Sequence, residues 1–324
     1  MNLKTKIGAT LALSLAAAVA QAQAPPPAPE KPDSPEVKAL IEKAKKAGGA
    51  QWADEAHFFC EAPRANRPDD PVIPATQLFD NVYTIGNAGT TIYVFKTSAG
   101  LLMFDSLAGN QVDSQVLPGF QKLGLNPADV KIIVMGHGHG DHTGGSPYFQ
   151  EKYGSKVYIG EPDWAAVLNP PAGKKGPAPA GPKRDGDVKE GEAIVLGDFK
   201  MMPYSIPGHT PGSMGYIFDV KDNGKKRVAA IYGGTILTPG PISDEGLQTY
   251  LKSIAHFKDA TKKAKAEIVL QNHPLMYNFP KMLDDLASRK KGQPNPFVVG
   301  AAGYQKFLDV MSICTDVNIA RRKK

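Results

Sequence analysis

From residue 76 onward the apolar positions come in short runs rather than at helical spacing. Residues 82–86, 91–97 and 101–104 are rich in β-branched and aromatic side chains, and Asn-Ala-Gly and Ser-Ala-Gly turns separate them. That pattern predicts three consecutive strands. A helix is predicted over 112–123, and the unbroken apolar run 130–135 predicts a buried strand. The second half repeats the theme. Strands are predicted at 156–159, 193–196, 201–206, 215–220, 227–232 and 267–270, and helices at 162–168, 246–263, 279–290 and 302–320. Two blocks of strands, each followed by helices, predict an α/β chain: an αββα sandwich of two mixed β-sheets with helices on the outer faces. A doubly wound parallel sheet would need a helix after nearly every strand, and these strand runs are too consecutive for that.

The first 75 residues differ. Lys4 and Lys6 precede an apolar stretch, 7–20, and Ala20-Gln21-Ala22 places small residues where a signal peptidase reads them. Residues 1–22 are therefore predicted to be a signal peptide cleaved after Ala22, leaving Gln23 first and the protein periplasmic or secreted. The apolar stretch falls short of the roughly 20 residues a spanning helix needs, so no stable membrane insertion is expected after cleavage. Residues 23–75 are read as an N-terminal linker and extension: a Pro-rich segment over 24–36, then a short helix over 37–47. Residues 169–186 combine Pro, Gly and Lys and predict a long surface loop, either flanking the functional site or simply inserted.

Composition narrows the function only slightly. Of 324 residues 42% are hydrophobic and 22% charged, which is ordinary for a globular protein. The net charge of +6 falls to +4 once Lys4 and Lys6 are removed. Four of the remaining cations sit together as Arg321, Arg322, Lys323 and Lys324, a solvated end rather than a basic stripe interleaved with aromatics, so no nucleic-acid partner is expected. Neither Cys60 nor Cys314 lies beside the histidine cluster at 137–142 or in a Cys-x-x-Cys pair, so neither is read as a metal ligand. Whether they pair is left open; a bond between them would tie the N-terminal region to the last helix.

The chemistry concentrates in Gly136-His137-Gly138-His139-Gly140-Asp141-His142, directly after the strand 130–135. In an extended segment residues two apart point the same way, so His137 and His139 can reach one metal. Gly140 lets the chain turn, so that Asp141 and His142 can address a second. Neutral imidazole nitrogen and carboxylate oxygen are zinc ligands. His209, in Pro-Gly-His-Thr-Pro-Gly-Ser, and His273, in Gln-Asn-His-Pro, follow predicted strands and are the remaining candidates. His57 and His256 lack such a setting and are read as structural or surface residues. Thr210 and Ser213 are read as turn residues.

His-x-His-x-Asp-His after a strand, Gly-His-Thr-Pro-Gly-Ser, and a single histidine after a later strand together resemble the metallo-β-lactamase superfamily, over about residues 76–280. The resemblance implies that residues 76–324 are one catalytic domain holding two zinc ions per chain. It puts His137, His139 and His209 on the first zinc, Asp141, His142 and His273 on the second, and Asp105 behind them as a supporting buried carboxylate. Gly233-Gly234-Thr235 carries neither the Asp by which many superfamily hydrolases bridge the metals nor the Cys of some β-lactamases. That absence is most similar to the third subclass of metallo-β-lactamases, which implies a zinc-dependent hydrolase acting on a small-molecule β-lactam, with antibiotic resistance as its consequence. In that mechanism zincs about 3.5–4 Å apart share a hydroxide that attacks the lactam carbonyl, with Asp141 orienting it. Thr235, Ile236 and Leu237 stand where that subclass has serines, and its tyrosine has no match in 238–241. An exported zinc hydrolase acting on lactones or phosphoesters is the alternative.

Overall fold

A computed structural model describes residues 32–63, 67, 69–169, 180–235 and 242–323. The expected signal peptide, most of the Pro-rich linker, positions 170–179 of the expected loop and residues 236–241 lie outside the described residues. The elements below all belong to the unit Asp33–Lys324.

Strands β1 (Thr76–Phe79), β2 (Val82–Gly86), β3 (Thr91–Thr97) and β4 (Gly100–Phe104) make an antiparallel meander. β5 (Val130–Val134), β6 (Lys156–Gly160) and β7 (Gly186–Val188) extend it in parallel to seven strands. The second sheet has the order β12 (Ile268–Val269), β11 (Lys225–Tyr232), β10 (Met214–Asp222), β9 (Phe199–Ser205), β8 (Ile194–Leu196), antiparallel except between β11 and β12. The two mixed sheets with helices match the expected αββα class. β7 was not foreseen: its three residues follow a Pro/Gly-rich stretch and carry no alternation.

β3 shows why these strands read as nearly continuous apolar runs. Phe95 faces the second sheet, its ring 4.8 Å from Phe199 and 4.9 Å from Phe218. Its neighbours Ile92 and Val94 join a separate cluster with Phe120 of α3 (Leu117–Lys122) and Phe149 of α5 (Ser146–Tyr153). Side chains two apart share a face, so a strand covered on both faces must be apolar at successive positions. Against the second sheet, Phe257 of α7 (Asp244–Ala264) packs its ring 5.5 Å from Tyr232 and 5.8 Å from Tyr204.

The N-terminal extension is built into this unit. Helix α1 (Pro35–Gly48) starts two residues before its apolar periodicity does, because the Ser34 hydroxyl accepts from Val37 N at 3.2 Å and Pro35 suits the first helical turn. The last two residues assigned to the linker are thus helical. A second helix, α2 (Ala53–Cys60), was not foreseen; two turns have little intrinsic stability, and packing supplies the rest. Trp52, between the two, packs its ring at a tilt 5.4 Å from Phe307 of α9 (Ala301–Arg322) and donates to Gly303 O at 2.9 Å. Cys60 and Cys314 form a disulfide between α2 and α9.

Candidate metal centre

The site forms where β5 ends. Tyr216 of β10 donates its hydroxyl to Met135 O at 2.7 Å, and Met214 N donates to Gly136 O at 2.9 Å. These bonds pin the exit of β5 to β10, the central strand of the second sheet. Gly136 and Gly233 pass so closely that a methyl on Gly136 would sit 2.7 Å from Gly233 O. His137 and His139 follow in the bend after β5, with His139 itself in extended backbone (φ −73°, ψ 149°). Gly140 then opens a short helix, α4 (Gly140–Thr143), which swings Asp141 and His142 round to the same space.

Two groups of donors result. In the first, His137 Nε2 and His139 Nδ1 are 3.0 Å apart, and His209 Nε2 lies 3.1 Å and 3.2 Å from them. In the second, His142 Nε2 lies 3.1 Å from His273 Nε2 and 3.1 Å from Asp141 Oδ2. Donor atoms of His137, His142 and His273 also fall within 4.8 Å of one another, so His137 stands between the groups. All six residues singled out in the sequence are therefore brought together. His57 and His256 are not: they lie on the surface beside Glu61 and Glu190.

The outward ring nitrogens explain the inward ones. His137 Nδ1 meets Gly233 O at 2.7 Å and His273 Nδ1 meets Gly89 O at 2.8 Å. A carbonyl only accepts, so both Nδ1 atoms carry the hydrogen, and in a neutral ring Nε2 then presents its lone pair inward. The His137 Nε2 lone pair thus faces His139 Nδ1 and His209 Nε2 at 3.0 Å and 3.1 Å, a convergence of imidazole nitrogens that suits a cation. Tetrahedral zinc, with Zn–N of about 2.0–2.1 Å, spaces its nitrogens about 3.3 Å apart, close to what is seen. The donor set fits zinc.

Electrostatics agree with a cation site. Burial pushes His137 well below the usual histidine range and His273 down to about 4, and His139 is lowered for the same reason. Burial would also lower His142, but the carboxylates of Asp141 and Asp105 outweigh it and hold this ring at about 10. Burial would raise Asp141; the histidines around it, His142 foremost, instead keep it well below the ordinary carboxylate value.

Asp105, after β4, supports the second group. Its Oδ2 accepts from His142 Nδ1 at 2.7 Å and Asn272 Nδ2 at 2.9 Å, and its Oδ1 from Gly136 N at 2.8 Å. The residue is fully buried with φ of 59°, a left-handed conformation that is strained for a non-glycine residue and typical of functional sites. Asn272 also donates to Gly233 O at 3.1 Å, and Thr90 Oγ1 donates to Asp141 Oδ2 at 3.2 Å. Sequence reasoning missed both; adjacency to His273 was the only signal for Asn272. Thr210 and Ser213 do make a turn, with Thr210 N donating to Ser213 Oγ at 3.1 Å.

The gap at position 234 also has a structural basis. A methyl on Gly234 would lie 2.6 Å from Ser213 Oγ and 3.1 Å from His209 Cβ, so a carboxylate there has no room unless its neighbours move. Thr235 is buried, with its carbonyl accepting from Tyr250 at 3.0 Å; Ile236, Leu237 and 238–241 are outside the described residues.

Residues 85–222 match the family model described as metallo-beta-lactamase superfamily. Among solved structures, BJP-1, a subclass B3 metallo-beta-lactamase of Bradyrhizobium japonicum, is 28% identical with a TM-score of 0.64, covering 74% of this chain and 91% of that one. Among curated proteins, the lactamase-like protein aptB of Emericella nidulans is 24% identical over 196 residues, 57% of this chain and 55% of that protein. The exodeoxyribonuclease WalJ of Streptococcus pneumoniae is 27% identical over 89 residues, 28% of this chain and 32% of that protein. The chain thus spans about half or less of the length of these curated relatives.

Proposed function

We propose, from the metallo-beta-lactamase superfamily domain that this chain carries over residues 85–222, that it is an exported dizinc hydrolase opening β-lactam rings. The observation that carries this reading is the second donor group. Asp141, His142 and His273 converge there, while the neighbouring strand end offers close-packed glycine in place of a bridging carboxylate or a thiolate. The likeness to BJP-1 over 91% of its length supports the same substrate class.

In this reading His137, His139 and His209 hold one zinc, and Asp141, His142 and His273 the other. Bound zinc would supply Lewis acidity toward the lactam carbonyl and a water acidified to a pKa of about 7. The chain supplies the rest. Asp141, held by Thr90 at 3.2 Å, accepts a hydrogen bond from the attacking water and so orients it. Asp105, Gly89 O and Gly233 O keep the imidazoles turned inward, so little reorganisation accompanies the reaction.

Export and cleavage after Ala22 belong to the same proposal. The Cys60–Cys314 disulfide supports it, since such bonds persist in oxidising compartments. Among the described residues no helix is long and apolar enough to cross a membrane. N-terminal sequencing of protein from the cell envelope or medium should begin at Gln23.

The deciding experiment is a hydrolysis panel on the zinc-loaded protein with a penicillin, a cephalosporin and a carbapenem. Ring opening of at least one, abolished by a chelator and restored by zinc, is expected. Two bound zinc ions with no ring opened would overturn the reading. A second reading, hydrolysis of phosphoesters or lactones, draws on the partial likeness to an exodeoxyribonuclease. Faster turnover of a phosphodiester or an acyl-homoserine lactone than of a carbapenem would select it.

A further inference from the structure

We propose that Asp163 is a positioning residue that locks together the two chain segments carrying His137, His139 and His209, and thereby sets the zinc affinity of that triad. The inference deepens the metal reading above and rests on it.

Asp163 sits in the turn between β6 and the short helix α6 (Trp164–Leu168), and is only 3% exposed. A buried carboxylate is costly unless hydrogen bonds satisfy it. Its position at the start of α6 suggests a cap, but its side chain makes no capping bond to that helix. Its oxygens turn the other way. Oδ2 accepts from Gly138 N at 2.7 Å and from Thr210 Oγ1 at 2.7 Å, and Oδ1 accepts from Gly212 N at 2.7 Å. Gly138 lies between His137 and His139, and Thr210 follows His209. One carboxylate therefore ties the first-sheet loop and the second-sheet loop that together supply all three nitrogens.

The glycines on either side are shaped to admit it. A methyl on Gly212 would stand 2.7 Å from Asp163 Cγ, and one on Gly138 would stand 3.0 Å from Asp163 Cβ. Thr210 Oγ1 is in turn 2.7 Å from Ser213 Oγ, which closes the His209 loop on itself. No bond from Asp163 reaches Asp141, His142 or His273 among the described residues. The clamp is therefore specific to one donor group, and all three bonds that Asp163 accepts are short, at 2.7 Å.

The test is zinc binding by the full-length protein, read by chelator competition without substrate. The zinc equivalent lost in His139→Ala identifies the triad's site. Asp163→Asn keeps the shape but turns an amide N–H toward a backbone N–H. Its affinity at that equivalent should fall about 10- to 100-fold, the usual effect of disturbing an outer partner, with the other equivalent within twofold of wild type. Thr210→Val should weaken the same equivalent, and Thr210→Ser should restore it. Cobalt(II) in place of zinc should show an altered visible spectrum for Asp163→Asn at that site alone. Unchanged affinity, or equal loss at both equivalents, overturns the proposal. If Asp163→Asn does not fold, the threonine pair decides: Val and Ser variants that bind zinc alike overturn it. A wild type that binds zinc but opens no lactam refutes the functional reading and leaves this one standing; a wild type that binds no zinc refutes both.

Discussion

Consider breaking the bond between Cys60 and Cys314. Both sulfurs are buried, and the bond joins residues 254 apart in sequence. In the chain-entropy account a cross-link stabilises by restricting the unfolded chain, by about 2.1 + 1.5R ln n cal/mol/K, which for a loop of this length is about 5.5 kcal/mol at 25 °C. Contacts that survive reduction hold part of the same interface. Trp52 keeps its ring against Phe307, and Arg321 keeps both bonds to Asp33 at 2.8 Å. The native state should therefore persist while its margin shrinks. We expect denaturant unfolding with and without a thiol reductant to differ by about 3–5 kcal/mol. A Cys60→Ala/Cys314→Ala protein should match the reduced wild type and ignore the reductant. A difference below about 1 kcal/mol would refute the reasoning, because the loop term alone exceeds it severalfold.

Other perturbations follow from the same structure. Glu55 is fully buried, neither oxygen has a hydrogen-bond partner among the described residues, and burial raises its carboxyl well above the usual value. The folded state thus holds this proton more tightly than the unfolded chain, so the contribution to stability is present at low pH and is lost as pH rises above about 4.5. Glu55→Gln should be more stable than wild type in urea at pH 8 and indistinguishable at pH 4; a wild type that gains on the variant with rising pH would contradict this. Asp105→Ala removes the acceptor for Gly136 N, His142 Nδ1 and Asn272 Nδ2. It should weaken zinc at the His142–His273 group about 10- to 100-fold in a chelator titration, and an unchanged titration would deny Asp105 that role. Gly234→Asp forces a side chain against Ser213 and His209 and should cost about 1–3 kcal/mol in the metal-free protein. Thermal unfolding at the wild-type temperature would show that room exists for a carboxylate after all.

The sequence was most legible where chemistry is dense along the chain. Three histidines and an aspartate within six residues after a strand announce a metal site without any fold, and the apolar run of β3 announces a strand covered on both faces. His209 and His273 needed the family resemblance to be singled out, because one histidine in a loop has many uses. Asn272 and Thr90 escaped because their roles arise from tertiary neighbours, and Gly89 and Gly233 act through carbonyl oxygens that every residue has. α2 escaped because packing on α9, not its own propensity, sustains it. The cysteine pairing stayed open because no sequence pattern brings residues 254 apart into contact.

The carbonyls of Gly89 and Gly233 have a consequence for how this site can change over generations. They hold His273 and His137 through atoms common to all amino acids. The aim of those rings is therefore encoded by where the backbone runs, and so by how many residues each loop contains. Substitutions in the turn at 87–90 that preserve its path should be absorbed readily. A single-residue insertion or deletion there would move the acceptor and misdirect an imidazole whose own codon is untouched. Natural variation around this centre should accordingly be rich in replacements and poor in changes of length.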